Sequence, residues 1–157
     1  MIEWDEDCPP FGMKEIEARA HSFAAAAHAS IDQRRKYTNE PYLVHPIAVA
    51  EFVRSVPHSP EMIAAALLHD IVEDVPSVSI DAIEAEFGVE VAELVGWLAD
   101  VSTPADGNLA TRKTVDLGHI SKAPAAAKTI KLADLIDETL TIKERDCEFW
   151  RLIATKN

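Results

Sequence analysis

The stretch "AAALLHDIVEDVP", residues 64–76, decides how this chain is read. Its alanines and leucines describe a helix that ends before Pro76, because proline disfavours helical backbone in the residue before it. Yet four titratable groups, His69, Asp70, Glu73 and Asp74, crowd into two turns of it. On a wheel of about 100° per residue with His69 at zero, Glu73 falls at about 40°, Asp70 at about 100° and Asp74 at about 140°. All four point to one side, with Leu68, Ile71, Val72 and Val75 on the opposite arc. A charged surface face would produce the same wheel. One and two turns earlier, however, the charged arc carries Ala66, Ile63 and Met62, so it is expected to face a cleft inside the protein. Imidazole beside carboxylate suits Mn²⁺, Fe²⁺ or Zn²⁺ better than Ca²⁺.

Outward from that helix, the chain reads as all-α. It has 157 residues, 48% of them hydrophobic, and five glycines, with few alternating β-branched runs. That length suits one domain with a real core, here residues 1–157. The opening "MIEWDEDCPPFG" lacks a basic and an apolar region, so no secretory signal is expected, and no apolar run approaches the ~20 residues of a membrane span. The expected location is the cytoplasm. Cys8 and Cys147 lie far apart with no metal or redox spacing and read as reduced bystanders. A formal net charge of −12 argues against nucleic-acid binding, since phosphate backbones are held by excess Lys and Arg. Any phosphate ligand must then meet a local basic patch or a metal. Nothing in the pattern specifies an oligomeric state.

Proline, glycine and capping residues predict the pieces. A first helix runs from about Met13 to near Ile31, with Ile16, Ala20, Phe23, Ala24 and Ala27 on one stripe. After a polar loop, Pro46 suits a first helical position, which places His45 at or near an N-cap. "VPHSP" breaks the chain before the opening stretch. Ser79 is a candidate cap for "IDAIEAEF", which Gly88 closes. "VEVAELVGWLADV" and "LATRKTVDLGHIS" follow, Pro124 opens "AAAKTIKLADLIDETLTI", and a short helix covers residues 143–153. About seven or eight helices with short connections form a compact bundle. In the long helix, Asp134 sits among Ile130, Leu132, Ala133, Leu135 and Ile136, where a carboxylate wants a partner.

Four segments, "RRKYTNEPYLVHPIAVA" (34–50), "AALLHDIVEDVP" (65–76), "LVGWLADVS" (94–102) and "TIKLADLIDET" (129–139), together resemble the successive motifs of the HD-domain hydrolases of the Rel/SpoT type. These remove the 3′-pyrophosphate from the guanosine alarmones (p)ppGpp. The resemblance spans roughly residues 20–142 and leaves no place for the synthetase domain of the long bifunctional members, so a small stand-alone hydrolase is expected. It implies a metal, Mn²⁺ being usual in the family, held by His45, His69, Asp70 and Asp134. Glu73 and Asp74 match the pair that orients and deprotonates the attacking water. A divalent ion lowers the pKa of bound water and a nearby carboxylate takes the proton, which is consistent with that division.

The resemblance places Arg35 and Lys36 against the nucleotide, and Tyr42 matches as well. Arg112, Lys113, Lys122 and Lys131 could extend the basic patch. The family usually carries asparagine four residues after its last metal aspartate, and here that position is Glu138. A carboxylate there should repel a polyphosphate unless it faces a basic group or the substrate differs. Hence two further readings stand beside (p)ppGpp hydrolysis: the same chemistry on another nucleotide phosphate, and an alarmone-binding module without turnover. A metal-free helical interaction domain is a third. His21 and His28 share a face of the first helix and read as core or supporting histidines bonded to backbone. His58 reads as exposed, Asp116 and His119 as a helix-surface pair or nucleotide neighbours, and Trp4, Trp97 and Trp150 as core or interface anchors.

Overall fold

Ser59 accepts a hydrogen bond from the Met62 N–H and Pro60 follows at the first helical position, so a helix starts abruptly after residue 58. In the computed structural model, which describes residues 14–154, this is the central element, α3 (Pro60–Leu68). Every residue from Met62 to Leu68 is buried, as expected of a helix that is apolar all round. Around it pack α1 (Glu15–Ser30), α2 (Val44–Arg54), α6 (Val89–Leu98) and α8 (Ala125–Arg145). Ala20, Ala24 and Ala27 of α1 and Ala64, Ala65 and Ala66 of α3 are all buried, and side chains this small let neighbouring backbones approach closely. Replacing Ser59 by Ala is expected to cost about 1 kcal/mol and lower Tm by about 2–4 °C, read by thermal unfolding.

The remaining elements are α4 (Ile71–Asp74), α5 (Ile80–Phe87), a 3₁₀ turn (Pro104–Asp106), α7 (Leu109–Ser121) and α9 (Cys147–Ala154). The all-α reading holds: no strand occurs among the described residues, only an isolated bridge between Arg34 and Pro41. Ser79 caps α5 through the Ala82 N–H, and Gly88, at φ +91°, ends it in a conformation that side chains other than glycine rarely adopt. The expectations for residues 1–12, including Trp4 and Cys8, lie outside the described residues. Cys147 is a free, exposed thiol.

Three expectations need correction. The helix around "HDIVED" is not continuous: it breaks at His69 and Asp70 into α3 and α4. The cause is local, since the Ala66 carbonyl that an unbroken helix would offer to the Asp70 N–H accepts the His69 ring at Nδ1, 2.7 Å away. Secondly, Pro46 is the third helical residue rather than the first, although His45 does lie near the cap. Helix α2 starts at Val44 after Leu43, so His45 lies inside its first turn, where Pro46 is tolerated because first-turn N–H groups have no partner within the helix. Thirdly, the apolar neighbours of Asp134 do not enclose it. Leu132, Leu135 and Ile136 are 61%, 47% and 45% exposed, whereas Asp134 itself is 3% exposed and faces inward.

Candidate metal centre

Helices α2, α3 and α8 converge on one point. His45 Nε2 lies 3.1 Å from Asp134 Oδ1 and 3.6 Å from Asp70 Oδ2, and His69 Nε2 lies 3.0 Å from Asp70 Oδ2 and 3.6 Å from Asp134 Oδ1. Both histidines and Asp134 are buried. The four residues expected to hold a metal are thus brought together from positions as far apart as 45 and 134.

The hydrogen bonds fix which ring atoms face inward. His69 donates from Nδ1 to the Ala66 carbonyl, which leaves Nε2 buried without a hydrogen-bond partner among the described residues. His45 donates from Nδ1 to Asp137 Oδ2 at 2.7 Å, again turning its Nε2 toward the carboxylates. Imidazole lone pairs aimed at carboxylate oxygens are the arrangement a divalent cation satisfies, with carbonyl and carboxylate partners behind the rings as metal-bound histidines usually have. Lys131 Nζ holds Asp134 Oδ2 at 2.9 Å, so Oδ1 is the oxygen presented to the rings. The Tyr42 hydroxyl donates to Asp70 Oδ2 at 2.5 Å.

Electrostatics agree with that fit. Burial opposes ionisation of Asp70, but His69 and the Tyr42 hydroxyl outweigh it and hold its carboxyl down at about 2. Asp134 is pushed down more strongly: burial is overcome by the hydrogen-bonded His45 ring and by the His69 ring beside it. Burial opposes charge on both rings, yet the surrounding carboxylates raise them, Asp134 and Asp137 at His45 and Asp70 and Asp134 at His69. The carboxylates therefore favour protons on the rings, which a divalent cation held by these residues would have to displace.

Arg35, Lys36, Tyr42 and Glu138 meet elsewhere around His45. Together with Tyr37, Thr141 and Ile142 they line a cavity of about 240 Å³ beside that ring. Arg35 is not free: it donates to Asp137 Oδ2 and Thr141 Oγ1, both at 3.1 Å, and so supports the carboxylate that orients His45. Glu138 offers a carboxylate oxygen within 4.8 Å of ligand atoms of His45 and Asp134. Burial raises its carboxyl, the charge on Asp134 raises it further, and Lys131 opposes them.

Glu73 and Asp74 do not line that cavity. Glu73 is exposed and accepts the Asp100 N–H through Oε1. Asp74 accepts from Gln33 Nε2 at 2.8 Å. Partial desolvation by the surrounding chain raises both carboxyls, Glu73 despite its open face, and the charge on Asp70 adds to it.

Several other expectations resolve differently. Lys131 is the Asp134 partner rather than part of an open patch, and Lys113 and Lys122 are exposed. Asp116 and His119 are not paired: Asp116 takes the Val101 and Ser102 N–H groups, and His119 stacks on Trp97 at 4.8 Å. His58 is exposed as expected. His28 is buried, but its partner is the Gln33 side chain rather than backbone. Asp137 is a functional neighbour that no motif singles out; its place three residues after Asp134, on the same helix face, is the one signal the chain carries for it.

The HD-domain family matches residues 20–148. The chain belongs to that family. The chain is 34% identical over 168 residues to a probable guanosine-3′,5′-bis(diphosphate) 3′-pyrophosphohydrolase of Synechocystis sp., covering 97% of this chain and 22% of that protein. A guanosine-3′,5′-bis(diphosphate) 3′-pyrophosphohydrolase of Vibrio cholerae is 42% identical over 81 residues, 52% of this chain and 11% of the relative. The chain thus spans about a fifth or less of the length of these curated relatives. Among solved structures, a metazoan ortholog of SpoT, described as hydrolysing ppGpp with a role in starvation responses, is similar with a TM-score of 0.74 and 30% identity. That likeness covers 85% of this chain and 73% of the other.

In this HD domain Asp137→Ala is expected to weaken divalent-metal affinity by about 10- to 100-fold, the usual effect of removing the partner behind a ligating histidine. Asp137→Asn, which can still accept from His45 Nδ1, should lose less. Calorimetric titration with Mn²⁺ measures both.

Proposed function

We propose that this chain is a metal-dependent phosphohydrolase that releases pyrophosphate from the 3′ position of (p)ppGpp, leaving GDP or GTP, with Mn²⁺ as its ion. The observation that carries this reading is the buried, unpartnered His69 Nε2 facing Asp70 and Asp134 in a chain similar to named 3′-pyrophosphohydrolases. His45, His69, Asp70 and Asp134 are the ligands. When bound, the ion supplies a more acidic water and neutralises phosphoryl oxygens.

The chain's own residues do the rest. Glu73 and Asp74 orient the water and accept its proton, and their raised carboxyls suit a base working nearer neutrality. The water oxygen forms a bond to the 3′-linked phosphorus as the bond to the ribose oxygen breaks, and that oxygen leaves as a hydroxyl after taking a proton. Lys36 and the outer edge of the Arg35 guanidinium meet the nucleotide in the cavity beside His45, whose wall Tyr42 completes. A cytoplasmic location is part of this reading.

A second reading, the same hydrolysis of another nucleotide phosphate, is favoured by one feature. Glu138 stands in the cavity wall beside Arg35 and Lys36, and a carboxylate there repels a substrate with two polyphosphate groups more than a less charged nucleotide. A panel of nucleotides assayed for phosphate and pyrophosphate, with and without added Mn²⁺, separates the readings. Metal-dependent pyrophosphate release greatest with (p)ppGpp is expected. Faster release from a nucleotide lacking a 3′-diphosphate would replace the substrate assignment, and binding of (p)ppGpp without turnover would make the chain a sensor.

A further inference from the structure

Helix α1 ends in a reversal that has consequences for Asp74. The Asp32 N–H bonds the Ala29 carbonyl and the Gln33 N–H bonds the His28 carbonyl, both at 3.1 Å, with Asp32 in the left-handed region at φ +46°. This pair of bonds turns the chain back over the last turn of the helix and sets Gln33 beside His28. Gln33 Oε1 lies 2.7 Å from His28 Nδ1, and Gln33 Nε2 donates to Asp74 Oδ2 at 2.8 Å. A carboxylate only accepts, so the amide nitrogen of Gln33 faces Asp74, its oxygen faces His28, and His28 Nδ1 carries the hydrogen. His28 is 2% exposed, and its Nε2 has no hydrogen-bond partner among the described residues. An unmade bond at a buried polar atom is a cost that an apolar residue filling the same space would not incur.

The same loop reaches the metal centre. The Tyr42 N–H bonds the Gln33 carbonyl at 3.0 Å, the Tyr42 ring lies 4.9 Å from His28, and the Tyr42 hydroxyl holds Asp70. One backbone hydrogen bond therefore ties the residue that holds a metal ligand to the residue that holds Asp74.

We propose that Gln33 and His28 are positioning residues for Asp74: the Gln33 amide fixes the carboxylate through Oδ2, leaving Oδ1 for the water, and His28 Nδ1–H fixes the amide. The proposal rests on the reading of Asp74 as one of the water-activating pair. An amide suits the task because it orients a base without adding the positive charge that would weaken it.

Gln33→Leu is expected to lower kcat for pyrophosphate release by about 10- to 100-fold, with KM and Mn²⁺ affinity changed by less than about twofold. His28→Leu should act in the same direction, and His28→Asn, whose amide nitrogen stands near the place of Nδ1, should recover most of the rate. In an Asp74→Asn background Gln33→Leu should cost nothing more, since both changes remove the same function. An unchanged kcat in Gln33→Leu, or a full additional loss in the double variant, would overturn the proposal. A measurement that needs no turnover is the long-range ¹H–¹⁵N spectrum of His28 in the full chain. It should show the hydrogen on Nδ1 in the wild type and lose that preference in Gln33→Leu. A hydrogen on Nε2 in the wild type would sink the proposal even if (p)ppGpp is hydrolysed. With the hydrogen on Nδ1, an inactive wild type would count against the functional reading alone.

Discussion

Asp70→Asn is expected to remain folded, lose its divalent ion and release no pyrophosphate except at high added Mn²⁺. The amide is nearly the same size and can still accept the Tyr42 hydroxyl through its oxygen. What disappears is the negative charge 3.0 Å from His69 Nε2, and a neutral amide is a far poorer ligand. Metal content by mass spectrometry beside the turnover assay decides it, and full metal retention would remove Asp70 from the ligand set. The pH dependence follows from the same groups. The Asp70 carboxyl, held at about 2, stays ionised through mild acid, so acidification expels the ion by protonating His45 and His69, whose values are raised. Affinity should therefore rise with pH through the histidine range, with protons released on binding. Titrations in buffers of different ionisation enthalpy count those protons.

Glu73→Gln should give the contrasting phenotype: metal content near wild type, nucleotide still bound, and kcat lower by about 10²- to 10⁴-fold, the scale for loss of a general base. The side-chain oxygen of glutamine can keep the bond from the Asp100 N–H, so α4 keeps its place. The acid limb of the pH profile is diagnostic. Burial first, then the charges of Asp100 and Asp70, raise the Glu73 carboxyl against the opposing pull of the Asp100 N–H. Below that raised value the carboxyl holds a proton and cannot accept another, so the wild-type rate falls with falling pH at a higher pH than for an ordinary glutamate. In Glu73→Gln the part of that limb owed to Glu73 should vanish, leaving the fall that Asp74 and the protonation of His45 and His69 produce. A variant with the wild-type rate would end the assignment of Glu73 as base.

Local pattern was enough to place most of the helices. Ser79 and Gly88 bound α5 as capping chemistry requires, and Pro124 precedes α8, because caps and breakers act within a few residues of themselves. The resemblance implied the set His45, His69, Asp70 and Asp134, and the residues alone pointed the same way, since titratable groups in apolar surroundings want a partner or a cation. The resemblance added the order of the motifs and the expected reaction.

Other features could not be read along the chain. The helix break at His69 depends on its ring reaching the Ala66 carbonyl, and a wheel drawn for an unbroken helix places Asp74 without it. On α8, hydrophobicity suggested burial for Leu132, Leu135 and Ile136, but α8 turns Asp134 inward and leaves those three exposed. Arg35 and Asp137 stand 102 residues apart, His45 and Asp137 92, and Gln33 and Asp74 41. The sequence by itself determined the helices and the donor types. Only the tertiary structure decided which carboxylate stands behind His45, which amide holds Asp74 and which side of α8 faces His45 and His69. Periodicity reports what a residue does to its neighbours along one helix, whereas the hydrogen bonds that orient this site form where separate helices meet.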